Sequence, residues 1–328
     1  MKDVSIETNL TNLKNHQKFN QIKRLIDDFF QKEKFTQIDV PLLSPVLIPE
    51  SYLEIFKTDN FYLIPSPELY LKRLMVAGLG DCYFLGKAFR NNEPREVKHS
   101  HEFTILEFYR LNKDYFDIIT DVMNLLSFIA KKLYGKKEII YQGKKINLNK
   151  FEKITVADAF KKYTGITDIF NHKEFFKQAK AKGYRIDNMN YTDLWSQIYG
   201  LSIEPHLGKN GLPTFIYEYP RELAAITQFD EERNVAQRFE FYIEGIELGN
   251  CGNEATENTN IKEHQNRFKN DIKIRKKLKM NYIKPDYEFI DVLSKLPPSA
   301  GIAIGIDRLI MLFANLTSIQ DLQVINIV

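Results

Sequence analysis

CYFLGKAFRNNEPREVKHSHEFTILEFY, Cys82 to Tyr109, is the stretch on which the reading of the fold turns. It reads as two strands joined by a long polar loop. The first runs from Cys82 to Arg90 and ends in a charge; the second runs from Glu102 to Tyr109 and alternates. Side chains two apart in a strand share a face. Phe103, Ile105, Glu107 and Tyr109 therefore line one side, and Thr104, Leu106 and Phe108 the other. One face carries an aromatic ring, a carboxylate and a phenol in a row. The loop supplies Arg90, Arg95, Lys98, His99 and His101. A cationic lip beside an aromatic and acidic floor suits a ligand with phosphates at one end and an amine at the other.

The chain has 328 residues, 44% of them apolar, and a formal net charge of +3. That is room for one large domain or two small ones, and too little charge to argue for nucleic acid. No stretch is long and apolar enough to span a membrane, and the first residues lack the apolar core of a signal peptide. Two cysteines, Cys82 and Cys251, exclude a disulfide scaffold or a four-cysteine zinc site. The expected compartment is the cytoplasm.

From Asn15 to Lys34, Phe19, Ile22, Ile26, Phe29 and Phe30 recur at helical spacing. Phe35 to Val40 then reads as a short strand stopped by Pro41. Phe61 to Ile64 reads as a strand, after which Ser66 N-caps a helix with Pro67 in its first turn; capping alone explains the early Glu68. A long helix is expected over 114–133. The segment 135–212 is lysine-rich with short helical patterns and reads as a helical insertion without assigned chemistry. Trp195 reads as core.

Thr214 to Tyr217 reads as a strand, and Gln237 to Gly249 as a hairpin turning at Glu244-Gly245. A two-residue turn sets Tyr242 opposite Glu247 and Glu240 opposite Gly249. Glu240 and Glu247 then lie on one side of the hairpin, roughly 7–8 Å apart at the backbone. Spacing leaves two readings open: exposed acidic residues on an edge hairpin, or a pair awaiting a cation such as magnesium carrying nucleotide phosphates. Residues 258–278 read as a helix turning basic at Lys269, Lys273, Arg275, Lys276, Lys277 and Lys279, either a solvated face or a docking surface for an acidic protein. Gly301 to Ile306 reads as a buried strand, and Asp307 to Phe313 as a helix with Arg308 in its first turn.

Together these segments resemble the class II aminoacyl-tRNA synthetases. FRNNEP and HSHEFTILEFY resemble their motif 2, and GIAIGIDRLIML, Gly301 to Leu312, resembles motif 3. The first helix, strand and proline resemble motif 1, the family's dimer interface. PSPELYLKRLMVAG, Pro65 to Gly78, and FEFYIEGIELGN, Phe239 to Asn250, narrow the likeness to the lysyl branch, and within it to short paralogues that attach (R)-β-lysine to elongation factor P. The resemblance implies an α+β fold: one class II synthetase catalytic domain over 1–328, an antiparallel β-sheet flanked by helices. It implies ATP and Mg2+ as cofactors, a homodimer, and lysine or (R)-β-lysine as substrate. Arg90 would hold the α-phosphate, and Arg308 would stack on adenine or meet the γ-phosphate; these form the catalytic pair. Phe103 would stack on adenine and His99 would sit near the terminal phosphates. Asn91, Asn92, Ser100, Glu247, Leu248 and Gly305 would complete the ATP pocket, with Glu240 joining Glu247 at the metal. Ser66, Pro67, Glu68, Glu107, Tyr109, Asn250, Glu254 and Ala303 would surround the amino acid. Three carboxylates and a phenol fit a substrate with two ammonium groups.

Two departures stand out. The family's motif 2 has glutamate two residues after the arginine; here that place is Asn92, with Glu93 next. The loop is one residue longer, so the register from Asn91 to Lys98, and with it the contacts of Asn92 and Ser100, stays open. Lysyl-tRNA synthetases resemble G-x-G-x-G in motif 3, whereas this chain has Ala303 at the middle position, as the β-lysine ligases do. A chain starting close to motif 1 leads us to expect no anticodon-binding domain, and a protein acceptor rather than tRNA. A lysine-activating enzyme with another acceptor, and a silent regulatory paralogue, are the competing readings; intact Arg90, Glu240, Glu247 and Arg308 disfavour the silent one. Gly80 to Ala88 fails the P-loop pattern.

Overall fold

A computed structural model describes residues 5–91, 97–224, 227–250 and 260–327. Expectations for Asn92, Glu93, Arg95, Cys251 and Glu254 lie outside the described residues.

The chain is α+β, built on a nine-stranded sheet that is mostly antiparallel. In chain order its strands are β1 (Thr36–Gln37), β2 (Cys82–Phe89), β3 (Glu102–Leu111), β4 (Glu152–Thr155), β5 (Thr214–Tyr219), β6 (Phe229–Asp230), β7 (Val235–Ile243), β8 (Ile246–Asn250) and β9 (Ser299–Gly305). Their order across the sheet is β4-β5-β7-β8-β9-β3-β2-β1, with β6 on β7. The outermost pairs, β4 with β5 and β1 with β2, are parallel. The helices are α1 (Leu13–Lys32), α2 (Glu68–Val76), α3 (Tyr115–Tyr134), α4 (Val156–Thr164), α5 (His172–Ala181), α6 (Tyr191–Ser202), α7 (Ile261–Lys277), α8 (Tyr287–Leu293) and α9 (Ile306–Phe313).

The alternation read from β3 decides which layer covers which face. Leu106 and Phe108 join Ile302, Ile304, Phe239 and Phe241 in a core with α1, α3 and α9. Ile105 and Tyr109 turn to the opposite face, where Leu69, Leu71 and Met75 of α2 and Phe289 and Ile290 of α8 cover one end. The other end is covered by α4 and α6, packed on Ile216, Tyr219 and Tyr242. The middle of that face, between the two helical caps, holds the cleft described below.

Several expectations shift. The segment 135–212 is not wholly helical. It opens with a hairpin, Glu138–Tyr141 against Lys144–Asn147, and then gives β4 to the main sheet. Its lysines hid the strands: Ile139, Tyr141 and Ile146 are buried while the alternating lysines face out. Trp195 is core, as expected. Pro67 takes the N-cap position of α2, and Ser66 accepts the Glu68 N–H at 3.1 Å. The hairpin turns at Glu244-Gly245, both at positive φ, a turn geometry that suits antiparallel strands. Tyr242 faces Glu247, but a bulge then slips the ladder, so Glu240 faces Asn250 rather than Gly249. Arg275 does not belong to the basic face of α7. It is buried and donates to the carbonyls of Glu50, Leu53 and Asn281, leaving Lys269, Lys273, Lys276, Lys277 and Lys279 exposed. Among the described residues no helix is long and apolar enough to cross a membrane.

Candidate active site

A cleft of about 240 Å³ opens on the sheet between β3, β8 and β9. Arg90, His99, Ser100, Phe103, Glu247, Leu248, Ala303, Gly305 and Arg308 all line it. Lys98, Ile105, Asp307 and Ile319 complete the wall. The topology explains the gathering. Ala303 lies opposite Glu107 and Gly305 opposite Ile105, so small residues of β9 leave open the space beside the aromatic row of β3.

Two arginines enter the cleft from separate elements. Arg90 follows β2, its N–H donating to the His101 carbonyl at 2.9 Å. Its guanidinium lies 5.3 Å from the Phe103 ring centre, a cation–π geometry. Its Nε is buried without a hydrogen-bond partner among the described residues. A buried donor left unmade is costly, and an anionic ligand in the cleft would meet it. Arg308, in the first turn of α9, is fixed by donating to the carbonyls of Lys98 and Glu247, each at 3.0 Å. Asp307 beside it accepts the Thr104 N–H at 2.5 Å and locks α9 onto β3. Asn91 departs from this group. Adjacent strand residues point to opposite sides, and Asn91 instead lines a groove with Tyr52, Glu54 and Asn281.

Glu240 and Glu247 share one side of the hairpin, as their register requires. Burial, and then the charge of Glu240, push Glu247 up to about 7, eased by Arg308. Glu240 already has partners: Arg238 at 2.7 Å, the Tyr242 hydroxyl at 2.7 Å and the Tyr199 hydroxyl at 3.2 Å. No group of three or more acidic, histidine or cysteine ligands is set to hold an ion among the described residues. That donor set fits magnesium, which takes one or two carboxylates and completes its shell with phosphate and water. Glu247, whose carboxylate lies 3.9 Å from the Arg308 guanidinium, would be the carboxylate facing such an ion, with Glu240 held by its own partners. The orphaned Arg90 donor, the Phe103 ring and Arg308 likewise fit a nucleotide triphosphate.

Behind the Ala303–Glu107 pair lies a second cluster. Glu107 is buried and accepts from Ser66 at 2.7 Å and from Tyr109 at 2.8 Å. Burial, then the neighbouring Glu68, raise it to about 8. Pro67 is buried beside them. Glu68 pairs with the fully buried ammonium of Lys72, which lies 5.4 Å from the Tyr109 ring centre. The sequence reading gave Lys72 no part here; its i,i+4 spacing from Glu68 was the available signal. Glu204 was also missed. It is half-buried near Arg308, Lys98 and Glu240, and only the fold brings it there. Asn250 ends β8 opposite Glu240.

A family model described as tRNA synthetases class II (D, K and N) matches residues 5–325. The lysine–tRNA ligase of Buchnera aphidicola subsp. Schizaphis graminum is 33% identical over 94% of this chain and 64% of its own length. That of Carboxydothermus hydrogenoformans is 31% identical over 92% of the chain and 63% of its own length. That of Coxiella burnetii is 33% identical over 92% and 61%. This chain thus spans less than two thirds of the length of these relatives. With the family model covering nearly all of it, the chain belongs to the class II tRNA synthetases of the D, K and N group.

Proposed function

We propose that this protein activates a diamino acid, (R)-β-lysine and less well lysine, as an acyl-adenylate, and passes it to a lysine side chain of elongation factor P. The observation that carries the reading is the cleft lined by both Arg90 and Arg308 and by Ala303, the strand partner of Glu107 in the acidic cluster. The substrate carboxylate attacks the α-phosphorus in line and pyrophosphate leaves. Both reactants are anionic, so the protein's contribution is alignment and fixed positive charge rather than a side-chain nucleophile. Arg90 holds the α-phosphate over Phe103, Arg308 faces the outer phosphates or the base, and Glu247 with Glu240 holds magnesium. Bound magnesium neutralises phosphate charge. Glu68, Glu107 and Tyr109 take the ammonium end.

The methyl of Ala303, in the floor opposite Glu107, supports the β-isomer: it occupies the place where glycine stands in the lysyl pattern. A second reading, lysine passed to tRNA, is favoured by the names of the relatives. We further propose a cytoplasmic homodimer formed through the α1 segment. Incubating the protein with ATP, magnesium and each lysine isomer, with purified elongation factor P in one arm and tRNA in another, tests the proposal. The expected result is a mass gain of one lysyl residue on elongation factor P, with a larger fraction modified when (R)-β-lysine is supplied. Charging of tRNA with an unmodified protein arm would favour the second reading. No amino-acid-dependent pyrophosphate exchange would sink both.

A further inference from the structure

The segment 135–212 carries no chemistry in the sequence reading, yet one of its helices reaches Glu240. Tyr199, on α6, is buried, and its hydroxyl lies 3.2 Å from Oε2 of Glu240. The Tyr242 hydroxyl donates to the same oxygen at 2.7 Å, and Arg238 donates to Oε1 at 2.7 Å. The Tyr219 hydroxyl stands 3.2 Å from that of Tyr199. Each phenol has one proton to give. Tyr242 and Tyr199 give theirs to Oε2, and Tyr199 accepts from Tyr219, so all three protons are used. Tyr199 also lies 3.1 Å from the Tyr242 hydroxyl, but a carboxylate is the stronger acceptor.

The rings that carry these hydroxyls are held in place. Trp195 stacks on Tyr199 with ring centres 4.6 Å apart and planes 14° from parallel. Arg238 lies over the Tyr219 ring, 4.3 Å from its centre, and is tied to the Leu223 carbonyl at 2.7 Å. Glu240 itself is buried. An ionised carboxylate has about four acceptor positions, shared equally by its oxygens. The two phenols fill those of Oε2, and Arg238 takes one on Oε1. Among the described residues, the position left for a further partner is on Oε1.

We propose that Tyr199 is a positioning residue that confines Glu240 to a single-oxygen contact with the metal, and thereby favours magnesium over calcium. The inference rests on the metal reading of Glu240 and Glu247 given above. Magnesium demands a near-octahedral shell and takes few protein carboxylates, whereas calcium accepts more oxygens, including both from one carboxylate. A carboxylate whose Oε2 is already engaged by two donors offers the first kind of contact and withholds the second.

The test measures binding of a non-hydrolysable ATP analogue to the full chain by calorimetry, with excess magnesium, with excess calcium and with EDTA. The wild type is expected to bind the magnesium complex more tightly than the calcium complex, and the metal-free analogue least tightly. Tyr199→Phe should weaken the magnesium complex about tenfold, at the low end for removing a hydrogen-bond partner of a metal ligand, and leave the metal-free analogue within about twofold. The preference for magnesium over calcium should fall by about threefold or more. Tyr242→Phe removes the other donor to Oε2 and should shift the preference the same way. Tyr219→Phe removes a neighbour of Tyr199 that gives no hydrogen bond to Glu240 among the described residues, and should keep the preference within about twofold. A preference unchanged in Tyr199→Phe, or in Tyr242→Phe should the first not fold, overturns the proposal. So does an equal shift in Tyr219→Phe, an equal weakening with EDTA, or a wild type without the preference. A wild type whose binding of the analogue gains nothing from magnesium overturns the metal reading itself.

Discussion

Arg90 carries the most specific chemistry at the scale of single residues. It is a buried cation over an aromatic face, with one donor unmet by the described protein. Arg90→Ala should lower pyrophosphate exchange by about 100- to 1,000-fold, the usual loss when a fixed positive group facing developing charge is removed. The fold should survive, because among the described residues the guanidinium rests on the Phe103 ring at the cleft and its Nε bonds no group of the core. Circular dichroism checks that part. Ala303→Gly removes one methyl opposite Glu107 and should move the preference toward lysine over (R)-β-lysine by roughly tenfold, near the low end of what one methylene-sized change achieves. Glu107 sets a pH dependence. In the empty pocket its value of about 8 keeps it neutral near pH 7, whereas an ammonium needs it ionised. Binding therefore expels a proton, and KM for lysine should fall as pH rises from about 6 to about 8. A KM flat across that range would remove Glu107 from amine binding.

Elements matter where one strand must let another residue through. In β9, Gly301 faces Tyr109, and a Cβ there would stand 2.4 Å from the Phe108 carbonyl oxygen and 2.5 Å from the Tyr109 ring. Gly301→Ala should cost about 1–3 kcal/mol of stability through overpacking, read from denaturant midpoints, whereas Ala303 shows that its neighbour on the same face tolerates a methyl. The bulge in β8 is a second element-scale device. It interrupts the ladder between Tyr242–Glu247 and Phe241–Gly249, and so brings Leu248 to the cleft wall. Helix α6 reaches the site too: Tyr199 joins Tyr219 and Tyr242 around Glu240. Burial and the Glu240 charge raise all three phenols, so they remain protonated donors at neutral pH. Tyr199→Phe should cost about 1 kcal/mol.

On the scale of the whole molecule, the site stores unfavourable charge. Burial is the first cause in each case: Glu107 is raised to about 8, Glu50 and Glu247 to about 7, and Asp271 to about 6. Unfolded carboxyls titrate near about 4. Between those limits the folded state binds more protons than the unfolded one, so these groups favour folding at low pH and cease to as pH rises through the unfolded value toward 8. The ligand-free melting temperature should fall from about pH 5.5 to about pH 8.5. Lysine with ATP and magnesium should recover more of it at the alkaline end, where the ammonium and the metal meet ionised carboxylates. A melting temperature that rises with pH in the ligand-free protein would contradict the account.

The sequence by itself determined the two-strand platform and its faces. Period-two alternation in Glu102 to Tyr109 has only one way to bury Leu106 and Phe108 while setting Glu107 and Tyr109 on the other side. It likewise determined the helix of Arg308, the turn at Glu244-Gly245, and the family, because those signals are local and repeat along a few residues. Tertiary structure alone decided the rest. The strands of 138–155 were hidden by lysines on their exposed face. The bulge moved Asn250 opposite Glu240, and the buried placement of Arg275 turned a residue of a basic run into a loop clamp. Glu204 comes near Arg308 and Glu240 only through the meeting of distant segments, and electrostatic partnership across a fold leaves no periodic trace in the chain.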